Sequence, residues 1–416
     1  MQWETKKLED VADFYLGKML DKKKNKGDYR PYLANVNVRW GGFELDDLRE
    51  MRFEDREKER YGLEYGDIVM CEGGEPGRCA IWKNQIPGMM FQKALHRIRP
   101  NATLDYRFLY YSFLNRGQEG GFDQYCTGAT IKHLPRQNLA KVEVPVPPLE
   151  TQQAIASILS AYDDLIENNT RRIEILEEMA RRLYEEWFVH FRFPGHEEVS
   201  FKESELGDIP EGWEVRRLED TVALNPRTKV PKEGEKLFVP MGALSESSMI
   251  VGSLERKPGN SGAKFQNGDT LFARITPCLE NGKTGFVDFL PEDQPTACGS
   301  TEFIVLRSVS LCPEMVYLLA RSDRFRDVAI KSMSGATGRQ RVRLESLVEF
   351  PVVQPDNATL EAFQRFVSPC FKQARTLALK NSNLRAQRDL LLPKLVSGEI
   401  EVSEVPIPDD KEVEAA

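Results

Sequence analysis

No two cysteines form a CxxC pair: Cys71, Cys79, Cys126, Cys278, Cys298, Cys312 and Cys370 stand apart, and only four histidines are scattered through 416 residues. Such spacing offers no zinc-ligand set, and the cysteines are expected to be reduced and buried. No run approaches the roughly 18 unbroken apolar residues of a membrane span, and "MQWETKKLED" lacks the apolar stretch of a secretory signal. A cytoplasmic protein without membrane attachment is expected. A general excess of positive charge is also missing: the net charge is −8, which argues against a simple basic nucleic-acid binder. Charge is unevenly spread, however. "KMLDKKKNKGDYR" at 18–30 is strongly basic, whereas the tail at 401–416 is acidic, broken by proline, and reads as disordered.

Signatures of catalysis are missing too. Neither "NPRT" at 225–228 nor "VPPL" at 146–149 supplies the Asn/Asp-Pro-Pro-aromatic motif of an adenine methyltransferase. A phosphate-binding loop ending in "GKT" at 282–284 would need glycine at 277, where the residue is Pro277. "PDDK" at 408–411 lies too near the C-terminus for a nuclease core to follow it. A non-enzyme is expected, with no cofactor or metal of its own.

What the sequence does contain is a duplication. "WETKKLED" at 3–10 returns as "WEVRRLED" at 213–220, and "YGDIVM" at 65–70 is answered by "NGDTLF" at 267–272. "PGRCAIW" at 76–82 matches "NGKTGFV" at 281–287, placing Arg78 opposite Lys283. "TGATIKHLP" at 127–135 matches "SGATGRQRV" at 334–342, and "PPLETQQ" at 147–153 is echoed by "ATLEAFQ" at 358–364. Each half reads as short apolar strands entered through Gly-Asp turns, plus one amphipathic helix: "RFLYYSFLN" in the first and "EMVYLLARSDRFRDVAI" in the second. That is an α+β domain, built twice. Length and composition (41% hydrophobic, 29% charged) suit two cored domains.

A long helix follows each domain. Leu159, Ile166, Ile173, Ala180 and Trp187 occupy one seam position of a heptad, and Tyr162, Asn169, Leu176 and Leu183 the other. In the second helix Phe363, Val367, Cys370, Ala374, Leu377, Asn381, Leu384, Arg388, Leu391 and Leu395 alternate spacings of four and three. Pro369 and Pro393 are expected to kink or end it, because proline lacks the amide donor and crowds the preceding turn. Asn169 and Asn381 read either as buried amides fixing register or as part-exposed residues near helix ends. About 40 residues make a helix of about 60 Å, longer than a domain of this size needs. An antiparallel pair would hold two similar domains at opposite ends, related by a pseudo-twofold axis. Such an arrangement suits a ligand with two half-sites, of which duplex DNA is the commonest.

"VPVPPLETQQAIASILSAYDDLIENNTRRIEILEEMARRLYEEWFVHFRFPG" (144–195), "LGDIPEGWEVRRLED" (206–220) and "QRDLLLPKLVSGEI" (387–400) resemble the specificity subunits of type I restriction-modification systems over the whole chain. The segment "WFVHF" has His190 where the family's reads Trp-Phe-Val-Asp-Phe. The resemblance implies two tandem target-recognition domains, at 1–147 and 196–357, separated by two conserved long helices, at 148–195 and 358–400, that form an antiparallel coiled coil. It implies a non-catalytic chain that reads a bipartite sequence in double-stranded DNA. Two modification (methyltransferase) subunits carrying S-adenosylmethionine would dock on its helices, joined by restriction (motor-nuclease) subunits using ATP and Mg. The recognition subunit of a system that fuses modification and cleavage in one polypeptide would look the same. A coiled-coil scaffold whose domains bind proteins is the alternative from another class.

The resemblance carries over no base-contacting residue, so chemistry nominates them: arginine grips guanine bidentately, and lysine holds phosphate. The candidates are Lys22, Lys23, Lys24, Lys26 and Arg30, the matched Arg78 and Lys283, and the basic residues after each Gly-Ala-Thr, namely Lys132 and Arg136, then Arg339, Arg341 and Arg343. Gly128 and Gly335 either let backbone approach a phosphate, with Thr130 and Thr337 donating hydroxyls, or simply make tight turns.

Overall fold

The computed structural model describes residues 3–21, 25–128, 130–336 and 338–402. Lys22, Lys23, Lys24, Thr337 and the acidic tail beyond residue 402 lie outside the described residues. Contacts divide the chain into two compact units, one running to Ile166 and resuming at Asn383, the other spanning Glu167–Ser382. Each unit holds one α+β domain and part of each long helix.

In the first unit an antiparallel sheet runs in the order Ala12–Leu16, Leu95–Pro100, Ile68–Cys71, Cys79–Ile81. The second repeats it with Val222–Leu224, Phe303–Ser308, Thr270–Ala273, Thr284–Phe286. A further sheet follows the same plan in both. Asp28–Leu33 pairs antiparallel with Arg49–Phe53 and parallel with Met90–Phe91; Glu235–Val239 does so with Glu255–Pro258 and Thr296–Gly299. The second half adds Ala263–Gln266. The duplication seen in sequence is thus a repeat of topology in the main sheet and in three strands of the second one.

The runs "IVMC" and "TLFA" lack polar alternation because each strand lies between two cores. Ile68 and Met70 pack with Phe108 and Leu109, whereas Val69 and Cys71 pack with Trp82 and Phe91. Leu271 and Phe272 likewise face opposite cores. Gly66 (φ 88°) and Gly268 (φ 89°) occupy the left-handed region that the preceding turns demand. The aspartate after each closes its turn: Asp67 Oδ2 accepts from Glu64 N (2.7 Å) and Asp269 Oδ2 from Gln266 N (2.8 Å).

Helix α1 (Tyr106–Gln118) begins at Asp105, whose carboxylate accepts from Arg107 N and Phe108 N. Its counterpart is two helices, α3 (Pro313–Arg321) and α4 (Asp323–Lys331), rather than one. Ser322 takes an extended ψ of 143° and its hydroxyl accepts from Phe325 N, starting the second.

The first long helix, α2 (Leu149–Tyr184), continues as one wider π-helical turn at Glu185–Val189 and stops there, short of the expected 195. Phe191 then turns the chain at φ 57°. The wide turn buries both Trp187 and Phe188 against Phe363, at 5.8 and 4.8 Å between ring centres. The second, α5 (Asn357–Ser397), runs unbroken through Pro369 and Pro393, against expectation. The carbonyls deprived of a donor belong to Arg365 and Asp389, both exposed to water, while Phe363, Val367, Phe371, Leu392 and Leu395 are buried along the helix and hold it.

Within the second unit the two helices run antiparallel. Asn169 meets Asn381, and further along α2 Trp187 meets Phe363, the same interval back along α5. In the first unit Leu159 shares a core with Leu392 and Leu395, and Asp163 pairs with Arg388. Of the seam residues, Leu159, Ile166, Asn169, Ile173, Ala180, Trp187, Leu377, Asn381 and Leu395 are buried; Tyr162, Leu176, Leu183, Leu384 and Leu391 are half-buried.

Candidate nucleic-acid interface

The described residues flanking each Gly-Ala-Thr segment close an exposed loop. Thr127 and His133 exchange two backbone hydrogen bonds (2.8 and 2.9 Å), as do Ser334 and Arg341 (3.0 and 2.9 Å). Each loop is then tied beside the end of the central strand, through Leu134 N to Glu72 O (2.7 Å) and Val342 N to Arg274 O (2.9 Å). Gly128 sits at φ 94°, and a Cβ there would lie 2.3 Å from the Ile131 carbonyl; Gly335 sits at φ 129°, with Arg339 O at 3.1 Å. The glycines therefore serve the turn itself.

What the loops present differs. The first exposes Thr130, Ile131 and Lys132, the last paired with Asp123 (2.6 Å). The second exposes Gly338, Arg339 and Arg341. Arg341 lies bidentate on Glu302 (2.9 and 2.6 Å), which holds the Glu302 carboxyl below its usual range. The second loop is one residue longer, so the basic residues following the two glycines do not coincide. Arg136 opens the short helix Arg136–Leu139, where the second half has Leu344 opening Leu344–Val348.

Several nominated cations make contacts within the fold. Arg78 and Lys283 are equivalent, their carbonyls accepting from Cys71 N (2.8 Å) and Ala273 N (3.1 Å). Yet Arg78 is braced by Glu75 (3.0 Å) and by the Asn35 carbonyl and side chain (both 3.2 Å), while Lys283 is half-buried. Arg136 donates to Phe14 O (3.1 Å) and stacks over Phe14 and Tyr15; Arg343 donates to Ser332 O (3.1 Å). Arg30 is half-buried, 3.9 Å from Asp55, and Lys26 is exposed. Lys18, which opens the basic run, points inward: it is 4% exposed and pairs with Glu57 at 2.5 Å.

Sequence reasoning missed an ion pair at the entry to each central strand. Arg99 grips Asp67 bidentately (2.7 and 2.9 Å), and Arg307 grips Asp269 (both 2.7 Å). The signal was there, since "HRIRP" and "IVLRS" each end an apolar strand with arginine. Also missed were two cations lying over aromatic rings on the small sheets: Arg52 over Tyr29 (4.9 Å) and Lys257 over Phe238 (4.0 Å). Behind the first loop His96 is buried, its Nε2 2.9 Å from Leu134 O; burial pushes its pKa down to about 4, so the ring is neutral. Among the described residues no His, Cys, Asp and Glu cluster is arranged to hold a metal, and no helix is long and apolar enough to cross a membrane.

Residues 1–178 match the family described as type I restriction modification DNA specificity domain. The chain is 27% identical over 351 residues to the MjaIX specificity subunit of a type I restriction enzyme from Methanocaldococcus jannaschii, covering 82% of this chain and 79% of that protein. It is 23% identical over 417 residues to the HindI specificity subunit from Haemophilus influenzae, covering 81% and 87%. The crystal structure of a type I restriction-modification S subunit from M. genitalium superposes with a TM-score of 0.54 at 16% identity, over 95% of this chain and 96% of that one, a likeness of fold.

Proposed function

We propose that the chain is a type I restriction-modification specificity subunit, recognising a DNA target, and that it divides this task between its two domains. Each α+β domain reads one half of a bipartite duplex sequence, and the paired helices α2 and α5 set the gap between the halves. The observation that carries this reading is the pair of equivalent loops with unlike contents. Ile131 offers an apolar contact suited to a thymine methyl, whereas Arg339 offers the fork that matches the guanine edge. One scaffold used twice with different side chains at the same exposed point is what reading two different half-sites requires.

The helices also carry large apolar side chains facing solvent. In the second unit these include Ile175 (58% exposed), Met179 (55%) and Phe366 (61%), and in the first Leu165 (54%) and Leu390 (71%). Such side chains on a seam-paired helix suit docking of protein partners, which in this reading are two methyltransferase subunits that supply S-adenosylmethionine. Restriction subunits using ATP and Mg join them. The chain itself orients the partners on DNA and performs no bond chemistry.

The test is to purify the chain with its modification subunit and map the adenines methylated across a host genome. Two fixed half-sites with one constant gap are expected, together with duplex binding that falls steeply with salt. Equal binding to all duplexes at physiological salt, without preferred methylation sites, would favour the protein scaffold instead.

A further inference from the structure

An ion pair joins each reading domain to the helix that follows it, and the two pairs have opposite polarity. In the first unit Lys83 of the domain lies 3.8 Å from Asp164 of α2; in the second, Asp288 of the domain lies 3.5 Å from Arg375 of α5. These are the same place in the repeat. Gly66 N donates to Trp82 O and Gly268 N to Val287 O, which makes Trp82 equivalent to Val287 and the next residues, Lys83 and Asp288, equivalent to each other. On the helices, Asp164 and Arg375 stand equally far beyond Leu149 and Leu360 of the matched "LE" steps (164 − 149 = 375 − 360 = 15). Between the halves, acid and base have changed sides.

Their surroundings differ in degree. Lys83 and Asp164 keep 46% and 48% of their side-chain surface, whereas Asp288 and Arg375 keep only 19% and 17%. Arg375 also lies over the Phe289 ring at 5.3 Å, beside the Phe286–Phe371 edge contact. An exposed pair contributes little to docking, but a like-charged or unpaired group in the second, drier place is strongly unfavourable.

We propose that this reversed polarity assigns each reading domain to its own helix, making Lys83, Asp164, Asp288 and Arg375 positioning residues for the order of the two half-sites. Were the domains exchanged, Lys83 would confront Arg375 and Asp288 would confront Asp164. Two domains of one topology, on helices of one pattern, are thereby kept from docking interchangeably. The inference stands on domain–helix contacts and not on which bases are read, so its test reads docking rather than DNA affinity.

The experiment uses the full chain in complex with its modification subunit and follows hydrogen exchange of α5 around residue 375. Asp288→Lys is expected to speed exchange there about tenfold or more, and adding Arg375→Asp, which gives the second half the polarity of the first, to restore it to within about threefold of the parent. If the double variant exchanges as fast as the single one, no pairwise match exists and the proposal is overturned. A second arm does not depend on how that variant folds. In a chain with residues 1–147 and 196–357 exchanged, the same helix segment should be poorly protected, and Lys83→Asp with Asp288→Lys should regain protection. Equal protection in the exchanged and repaired chains would also overturn the proposal.

Discussion

Asn169 Nδ2 donates to Asn381 Oδ1 across the helix seam at 2.9 Å, and Asn381 Nδ2 reaches Thr170 Oγ1 at 3.1 Å. Both asparagines are buried, at 8% and 3% exposure, well inside their helices. Of the two readings open from sequence, the structure thus shows a buried amide pair. Replacing Asn169 takes away the donor that meets buried Asn381 Oδ1, at a cost of about 1–3 kcal/mol. Asn169→Leu should therefore lower the melting temperature, while Asn169→Leu with Asn381→Leu should recover most of the loss. The double variant should also lose its unique register, detectable as new disulfide cross-links between cysteines placed one heptad out of step.

The paired Asp67–Arg99 and Asp269–Arg307 bridges should be equally indispensable in the two halves. Asp67 and Asp269 have 0% and 1% of their side chains exposed, and each carboxylate also closes the turn entering the central strand. Asp67→Ala or Asp269→Ala removes three hydrogen bonds, leaving Arg99 with Glu64 (3.0 Å) and Arg307 with the Thr228 hydroxyl (2.8 Å). Because Arg99 and Arg307 keep contact with water, about 2–4 kcal/mol is expected, at or below the loss for a fully buried pair. Chemical denaturation of each variant checks this; a loss under about 0.5 kcal/mol would mean that the turn stands without its aspartate.

Asp288 gives the second domain a defined pH dependence. Burial raises its pKa from 3.8 to about 6 despite Arg375 nearby, and burial likewise lowers the Arg375 pKa, so for both partners desolvation outweighs attraction. A carboxyl raised in the folded state contributes stability that is complete below its unfolded pKa and lost as pH rises through the folded value. The window is therefore pH 4 to 6, with stability falling upward. Relative to Asp288→Asn, the parent should gain roughly 1 kcal/mol on going from pH 7 to pH 5. Taking the difference between the two proteins cancels the opposite contribution of neutral His96, which weakens the fold on acidification.

Local spacing carried much of this architecture and failed where a distant partner decides. The Gly-Asp turns, the repeat offsets and the heptad positions were visible because each depends on residues a few places apart. Pro369 and Pro393 misled because their penalty is local, whereas the buried seam that outweighs it is assembled from both helices. Lys18 counted toward a basic patch in sequence, yet Glu57 closes on it, and Arg78, nominated for its charge, is held by Asn35 and Glu75. The break at Ser322 was missed since the apolar pattern on either side stays in phase with a helix. In the candidate interface the loops were legible from Gly-Ala-Thr; which of their cations are free of structural duty was not.

That distinction sets the expectation for the two loops. Arg339 and Ile131 are exposed there, whereas Arg136, Arg341 and Arg343 are engaged by Phe14, Glu302 and Ser332. Arg339→Ala and Ile131→Ala should each leave stability within about 0.5 kcal/mol of the parent, as surface changes do. Each should relax base preference in one half-site only, by roughly 1–3 kcal/mol if the arginine fork is bidentate on guanine and by less for an apolar contact. Methylation mapping with the variant chains reads the outcome directly. Relaxation confined to one half by Arg339→Ala, and to the other by Ile131→Ala, would assign one loop to each half-site. A uniform loss of affinity across all sequences would instead make Arg339 a phosphate contact, because backbone neutralisation carries no base information.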